Sequence, residues 1–246
     1  MRFPLKALIF ALNSAIPELV FASESALYDR YDELLSRYVS ESGVDYAEWK
    51  ANEADVEELD EILAGFSSVD YRELEDAEAT AFLINLYNAA VIREVLTHYP
   101  FESIRYLGLL PFSIFRLPAI SLNGEFISLD TLEKKILLPE YGDPRIHFAI
   151  NCASISCPPL REESFRGDRL EDQLQEQTIR FANSPEAADV LEGEAVTAFS
   201  KIFEWYDADF PGTNPASYLN SFRSDPLPTE NEIRWIEYNW DLNDAS

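Results

Sequence analysis

Glycine, cysteine, histidine and lysine are all scarce in this chain. Its 246 residues include eight glycines, two cysteines and two histidines, and only Lys6, Lys50, Lys134, Lys135 and Lys201 are lysines. No Gly-rich loop occurs that could cradle a phosphate, so nothing supports nucleotide binding. Neither the C-x2-C spacing common in zinc modules nor the C-x-x-C of thioredoxin-like proteins is present. Positive charge is short as well: 19 basic residues face 45 acidic ones, a net charge of −26. A polyanion of this kind is a poor partner for nucleic acid. The same acidity reads as a strongly hydrated surface that resists aggregation.

What the chain does have is apolar and aromatic mass, 47% and 13% of residues. That suits a globular protein with a substantial core and rules against disorder. The N-terminus has the pattern of a secretory signal: Arg2 and Lys6, the apolar run Ala7 to Leu12, and a small-x-small site at Val20-Phe21-Ala22. Cleavage after Ala22 leaves residues 23–246 as an exported chain, periplasmic or extracellular. No integral membrane segment is expected in that mature part.

From Leu27 to Tyr38 apolar residues recur at three and four, which predicts an amphipathic helix ended by Ser42-Gly43. A second helical stripe follows Trp49 through Val56, Leu59, Ile62 and Leu63. The segment 74–99 lacks Gly and Pro, is apolar almost all round between Ala79 and Ile92, and stops at Pro100. Such a helix is buried on most sides. Asn85 and Asn88 then share one of its faces, where an unsatisfied amide costs about 1–3 kcal/mol. They either hold neighbouring backbone or line a pocket. His98 suits the helix dipole at the C-terminal end.

Asn123-Gly124 between short apolar pieces predicts a two-residue hairpin over Ile120–Ile127. Ser128 or Asp130 caps a helix ending by Pro139. Arg145–Ile150 reads as a buried strand, Leu170–Phe181 as a helix broken at Asn183-Ser-Pro185. Val196–Phe199, Ile202–Tyr206 and Ile233–Trp240 read as strands, with a short helix over Pro215–Phe222. The expected architecture is one α+β domain over 23–246, a long buried helix packed on a small, mainly antiparallel sheet.

The chemistry concentrates in one stretch. Arg145 to Arg161, R-I-H-F-A-I-N-C-A-S-I-S-C-P-P-L-R, holds Cys152, Cys157 and His147, three of the chain's four cysteines and histidines. These side chains most readily do nucleophilic, redox or metal chemistry near neutral pH.

Several blocks carry a family resemblance: F-L-I-N-L-Y-N-A (82–89), Y-P-F-E-S-I-R (99–105), S-L-D-T-L-E (128–133), the stretch 144–161 and S-K-I-F-E-W-Y-D-A-D-F (200–210). Together with the Y-N-W-D-L-N ending (238–243) they resemble domain-of-unknown-function family 547 over nearly all of the mature chain. Leu83 stands where the family pattern usually has tryptophan, and Lys134 where a histidine often follows the glutamate. The resemblance marks the site and implies no reaction.

Two functional readings stay open on the residues alone. In the first, Cys152 is the nucleophile of a thiol-dependent hydrolase or acyl transferase and His147 its base. Asn151, Asn85 or Asn88 would supply an orienting or oxyanion-binding amide. Tyr87, Arg161 and Cys157 complete the candidate substrate-binding or orienting set. On a regular strand residues five apart face opposite sides, so His147 and Cys152 meet only if the chain turns after Ile150. In the second, the protein is a non-catalytic extracytoplasmic binding domain with a Cys152–Cys157 disulfide, worth only roughly 2 kcal/mol from so short a loop. Metal binding by His147, Cys152 and Cys157 in an H-x4-C-x4-C pattern is a third, weaker reading; no cofactor or metal is expected. Asp207 and Asp209, beside Trp205 and Tyr206, read as structural acids. The expected partner is a small molecule or peptide.

Overall fold

A helix that is apolar around its whole circumference needs protein on every side, and the fold supplies it. The computed structural model describes residues 16–191, 193–212 and 214–245, with side chains from residue 25 onward. Helix α1 spans Ile16–Tyr38 and leads through a tight pair of strands, β1 (Val39–Ser40) and β2 (Gly43–Val44), into α2 (Tyr46–Ala51) and α3 (Glu53–Ser67). Asp45 caps α2 by accepting from the Glu48 N–H at 2.9 Å, as a short acidic side chain at that position should. The leader pattern in residues 1–22 lies mostly outside the described residues; the backbone of 16–22 continues α1.

Helix α4, Asp76–His98, is the long helix foreseen from the sequence, and sixteen of its residues are buried. By length and composition it could cross a membrane, but 89% of its most apolar window is enclosed by the protein itself. It packs on α2, α3 and the hairpin that follows. That hairpin is formed by β3 (Pro118–Leu122) and β4 (Glu125–Ser128), preceded by the short α5 (Ser113–Arg116). Asn123 and Gly124 both take positive φ, 50° and 80°, the twist that an Asn-Gly turn allows.

Ser128 caps α6 (Leu129–Thr131), which widens into a π turn over Leu132–Leu137 and closes as α7 (Leu138–Tyr141). The helix therefore passes Pro139 instead of ending there, with the π turn directly before the proline. After α8 (Leu170–Ala182) come β5 (Ala188–Leu191), β6 (Val196–Phe199), α9 (Ile202–Trp205), α10 (Pro215–Leu219) and β7 (Glu232–Trp235). β6 pairs antiparallel with β5 and parallel with β7. The structure is α+β with small, largely antiparallel sheets.

Three expected strands differ. Arg145–Ile150 is instead a 3-10 turn over Pro144–Phe148. Pro144 fixes a helical φ, and Asp143 accepts from the Arg145 N–H at 2.9 Å, so capping overrides the apolar run. Over Ile202–Tyr206 the chain forms the helix α9 and its C-cap Tyr206, which brings Ile202, Trp205 and Tyr206 to the cavity described below and sends Phe203 into the core. Past Trp235 the chain stays extended but leaves the sheet. It threads between two loops with isolated bridges at Ser103–Asp241 and Ser154–Leu242.

Buried apolar residues form two clusters. The larger surrounds α4; the smaller is aromatic, with Phe148, Phe181, Phe203 and Phe210 in ring contact. The 3-10 turn straddles them: Ile146 belongs to the first and Phe148 to the second. Each such fully buried side chain contributes roughly 1.5–3 kcal/mol. His147, between these two anchors, is left facing the seam.

Candidate active site

The seam opens as a cavity of about 750 Å³, and the cysteine loop forms part of its wall. The loop's shape comes from buried amides. Asn151 donates to the Pro158 carbonyl and accepts from the Ala153 N–H, both at 2.8 Å. Its own backbone N–H donates to Asn88 Oδ1 at 2.8 Å, while Asn88 Nδ2 donates to the Ala149 carbonyl at 3.0 Å. One turn earlier on α4, Asn85 makes the same two-way clasp with the Phe165 backbone, at 2.8 and 2.9 Å. Ala153 is held at φ 62°, a left-handed conformation that a non-glycine residue keeps only where its surroundings enforce it.

This loop brings the two sulfurs together as free thiols. The Cys152 N–H donates to Cys157 Sγ at 2.9 Å, and Cys152 Sγ lies 3.0 Å from Ser154 Oγ and 3.5 Å from the Tyr238 hydroxyl. Hydrogen bonding from the Cys157 thiol is the largest influence on Cys152. Aided by Ser154 and Tyr238, it outweighs burial and brings the Cys152 pKa down to about 7. Burial and the neighbouring Cys152 push Cys157 the opposite way, well above an ordinary thiol. One thiol is thereby poised to ionise near neutral pH while the other stays protonated as its donor.

Elsewhere on the cavity wall stands His147, 4% exposed, with Nε2 2.9 Å from Asp209 Oδ2. Burial lowers its pKa, Asp209 partly opposing, so the ring is neutral at neutral pH. A carboxylate can only accept, so Nε2 carries the proton and Nδ1 keeps its lone pair. The Tyr206 ring lies 4.2 Å from the imidazole. The Tyr206 hydroxyl donates to Glu133, whose other oxygen accepts from Tyr87 at 3.2 Å. Glu133 lines the cavity but is only 7% exposed, and burial raises its pKa. It is presented by the π turn, a distortion often found at functional positions.

Residues 71–182 match the model of a family described as "Protein of unknown function, DUF547". The chain carries a DUF547 domain. Comparison with curated proteins and with solved structures gives no match. The matched DUF547 segment supplies α4, the π turn, His147 and the cysteine loop. Two blocks that carried the resemblance, 200–210 and 238–243, lie outside it. They nevertheless bring Trp205, Tyr206, Tyr238 and Trp240 to the same cavity.

Of the residues singled out in the sequence, Cys152, Cys157, His147 and Tyr87 line this DUF547 cavity. Asn85, Asn88 and Asn151 do not. The Asn85 and Asn88 amides bond backbone groups, one of the two roles their shared helix face offered, and the Asn151 amide bonds the loop backbone. Arg161 also points elsewhere, to Glu163 and Glu176 and over the Phe165 ring. Among the described residues no hydrogen bond joins His147 to either cysteine. Nor do His147, Cys152 and Cys157 converge with other ligand types into a metal-binding cluster among the described residues. Asp209, held as structural from sequence, is the partner of His147. Glu133 and Tyr238 were missed. The S-L-D-T-L-E block was the available sign for Glu133, whereas no spacing connects Tyr238 to a thiol 86 residues away.

Proposed function

We propose that this protein is a thiol-dependent hydrolase or acyl transferase with Cys152 as the nucleophile. The observation that carries the reading is the thiol itself. It lines a cavity, receives hydrogen bonds from Cys157, Ser154 and Tyr238, and has a pKa near 7. A base touching the sulfur is then unnecessary, because about half of such thiols are already thiolate at neutral pH. The thiolate attacks an acyl carbonyl, forming a C–S bond as the leaving group departs with the electron pair of the broken bond. The Tyr238 and Ser154 hydroxyls are the nearest donors for the charge on oxygen. In the second half, His147 Nδ1 takes a proton from water or another acceptor, which attacks the thioester and restores the thiolate. His147 thus serves the acceptor, and Asp209 fixes its tautomer.

The test is acylation by p-nitrophenyl acetate. Wild-type protein releases a burst of nitrophenolate and gains one acetyl group by intact mass. Cys152→Ser folds normally and gains none, while His147→Gln gains the acetyl group and loses it slowly. A wild-type protein that is never acetylated at Cys152 defeats the reading.

The alternative is a binding domain with a Cys152–Cys157 disulfide, supported by the proximity of the two thiols and by the export pattern of Arg2, Lys6 and the apolar run to Leu12. Intact mass of unreduced exported protein separates the two. A mass two hydrogens below the reduced form, with no uptake of alkylating agent, is the disulfide outcome.

A further inference from the structure

We infer that the molecule occupying this cavity is a small organic anion with a flat apolar body, its charge held by Arg105. This rests on the cavity being the substrate site and adds the substrate's chemical class.

In a chain carrying net charge −26, four of the 19 basic residues, Arg105, Arg116, Lys134 and Lys201, line this one cavity. Three of them are already spoken for. Lys134 pairs with Asp130 at 2.7 Å, Arg116 approaches the same carboxylate at 3.9 Å, and Lys201 pairs with Glu204 at 3.0 Å. Arg105 is different. Among the described residues it is the one arginine whose guanidinium makes neither a hydrogen bond nor an ion pair with the protein. Its contacts are ring faces: Tyr106 at 5.7 Å and Phe112 at 5.6 Å from the ring centroids. With carboxylates so abundant, an unpaired guanidinium beside a cavity is a vacant fork for a carboxylate or phosphate.

The geometry continues from that fork to the thiol. Phe112 meets Trp240 at 4.6 Å, and Trp240 meets Tyr238 at 4.4 Å. The Tyr238 hydroxyl in turn lies 3.5 Å from Cys152 Sγ. Trp205 stacks on Trp240 at 5.6 Å and is 43% exposed. An aromatic wall thus joins a free cation to a nucleophile. A ligand anchored at Arg105 lays a flat apolar portion along the wall and directs its reactive group to the sulfur.

The test uses Cys152→Ser, so that binding is read without thiol chemistry. Naphthoate and its neutral counterpart naphthalenemethanol are titrated into it by calorimetry. The acidic chain as a whole disfavours the anion, so a preference for naphthoate must come from the cavity. Naphthoate is expected to bind about tenfold more tightly than the alcohol, and added salt should narrow the gap. Adding Arg105→Gln should erase the preference, and Arg105→Lys should restore part of it. Equal affinities for the two probes, no naphthoate binding, or a preference that survives Arg105→Gln overturns the inference. The acetylation result is independent of these outcomes, so failure of the anion site and failure of the thiol reading are told apart.

Discussion

Replacing Cys157 by alanine should make Cys152 slower at neutral pH and faster in base. Cys157 is the largest hydrogen-bonding influence holding the Cys152 pKa at about 7. Without it the value should rise toward that of a free thiol, about 8.5. The thiolate fraction at pH ~7 then falls from about one half to about 3%, roughly a sixteen-fold loss. A more basic thiolate is also a better nucleophile, with a Brønsted slope of about 0.4–0.5, which returns roughly a factor of five. The net expectation is a rate about three-fold lower at neutral pH and about five-fold higher once both proteins are fully ionised, near pH ~10. The curves must therefore cross. The assay is the pseudo-first-order rate of Cys152 alkylation by iodoacetamide across that range, followed by intact mass on folded protein. Cys157→Ser, which keeps a donor at the same place, should lie closer to wild type. If Cys157→Ala titrates with the wild-type midpoint, or wild-type Cys152 titrates as an ordinary thiol, the hydrogen-bond account of its reactivity is wrong.

Two further outcomes follow from the buried polar groups. Asn88→Ala strands the Asn151 N–H and the Ala149 carbonyl in the core, and should cost about 2–6 kcal/mol in chemical denaturation because each of the two unsatisfied groups costs about 1–3 kcal/mol. A loss under about 1 kcal/mol would show that the clasp is dispensable. His147 has a folded-state pKa below its unfolded value, so the unfolded chain binds the extra proton first. Its contribution to stability is intact above about pH 6.5 and is lost as pH falls from there through the folded value. His147→Gln should remove that part of the slope from melts compared over this window. An unchanged slope would mean that the imidazole is not held neutral by the fold.

The long helix was legible because its pattern is extreme: no breaker between Leu74 and Tyr99, and apolar residues on every face. The Asn-Gly hairpin and the Ser128 cap were legible for a related reason, since local backbone chemistry fixes both. The turn around His147 was misread as a strand because a short apolar run has no period long enough to separate a buried strand from a helical turn. Asp143-Pro144 was the better signal. Four of the five residues at 202–206 are aromatic or β-branched, yet tertiary packing made 202–205 a helix. For the site, clustering of rare residue types located the thiols and His147. Nothing local could reveal that Asn88 clasps the backbone at Ala149 and Asn151 or that Glu133 is enclosed by Tyr87 and Tyr206, because those contacts join segments distant in sequence.

Tyr238 reaches the Cys152 sulfur from 86 positions further along the chain, on the extended segment that threads past Ser103 and Ser154. Its hydroxyl is in place only after that segment has docked, which is the kind of non-local closure that comes late in folding. A nascent or half-folded chain therefore carries a more nearly ordinary thiol. If Cys152 is the nucleophile proposed above, the last increment of its reactivity, the part that Tyr238 adds to Cys157 and Ser154, would come only with the docking of that segment.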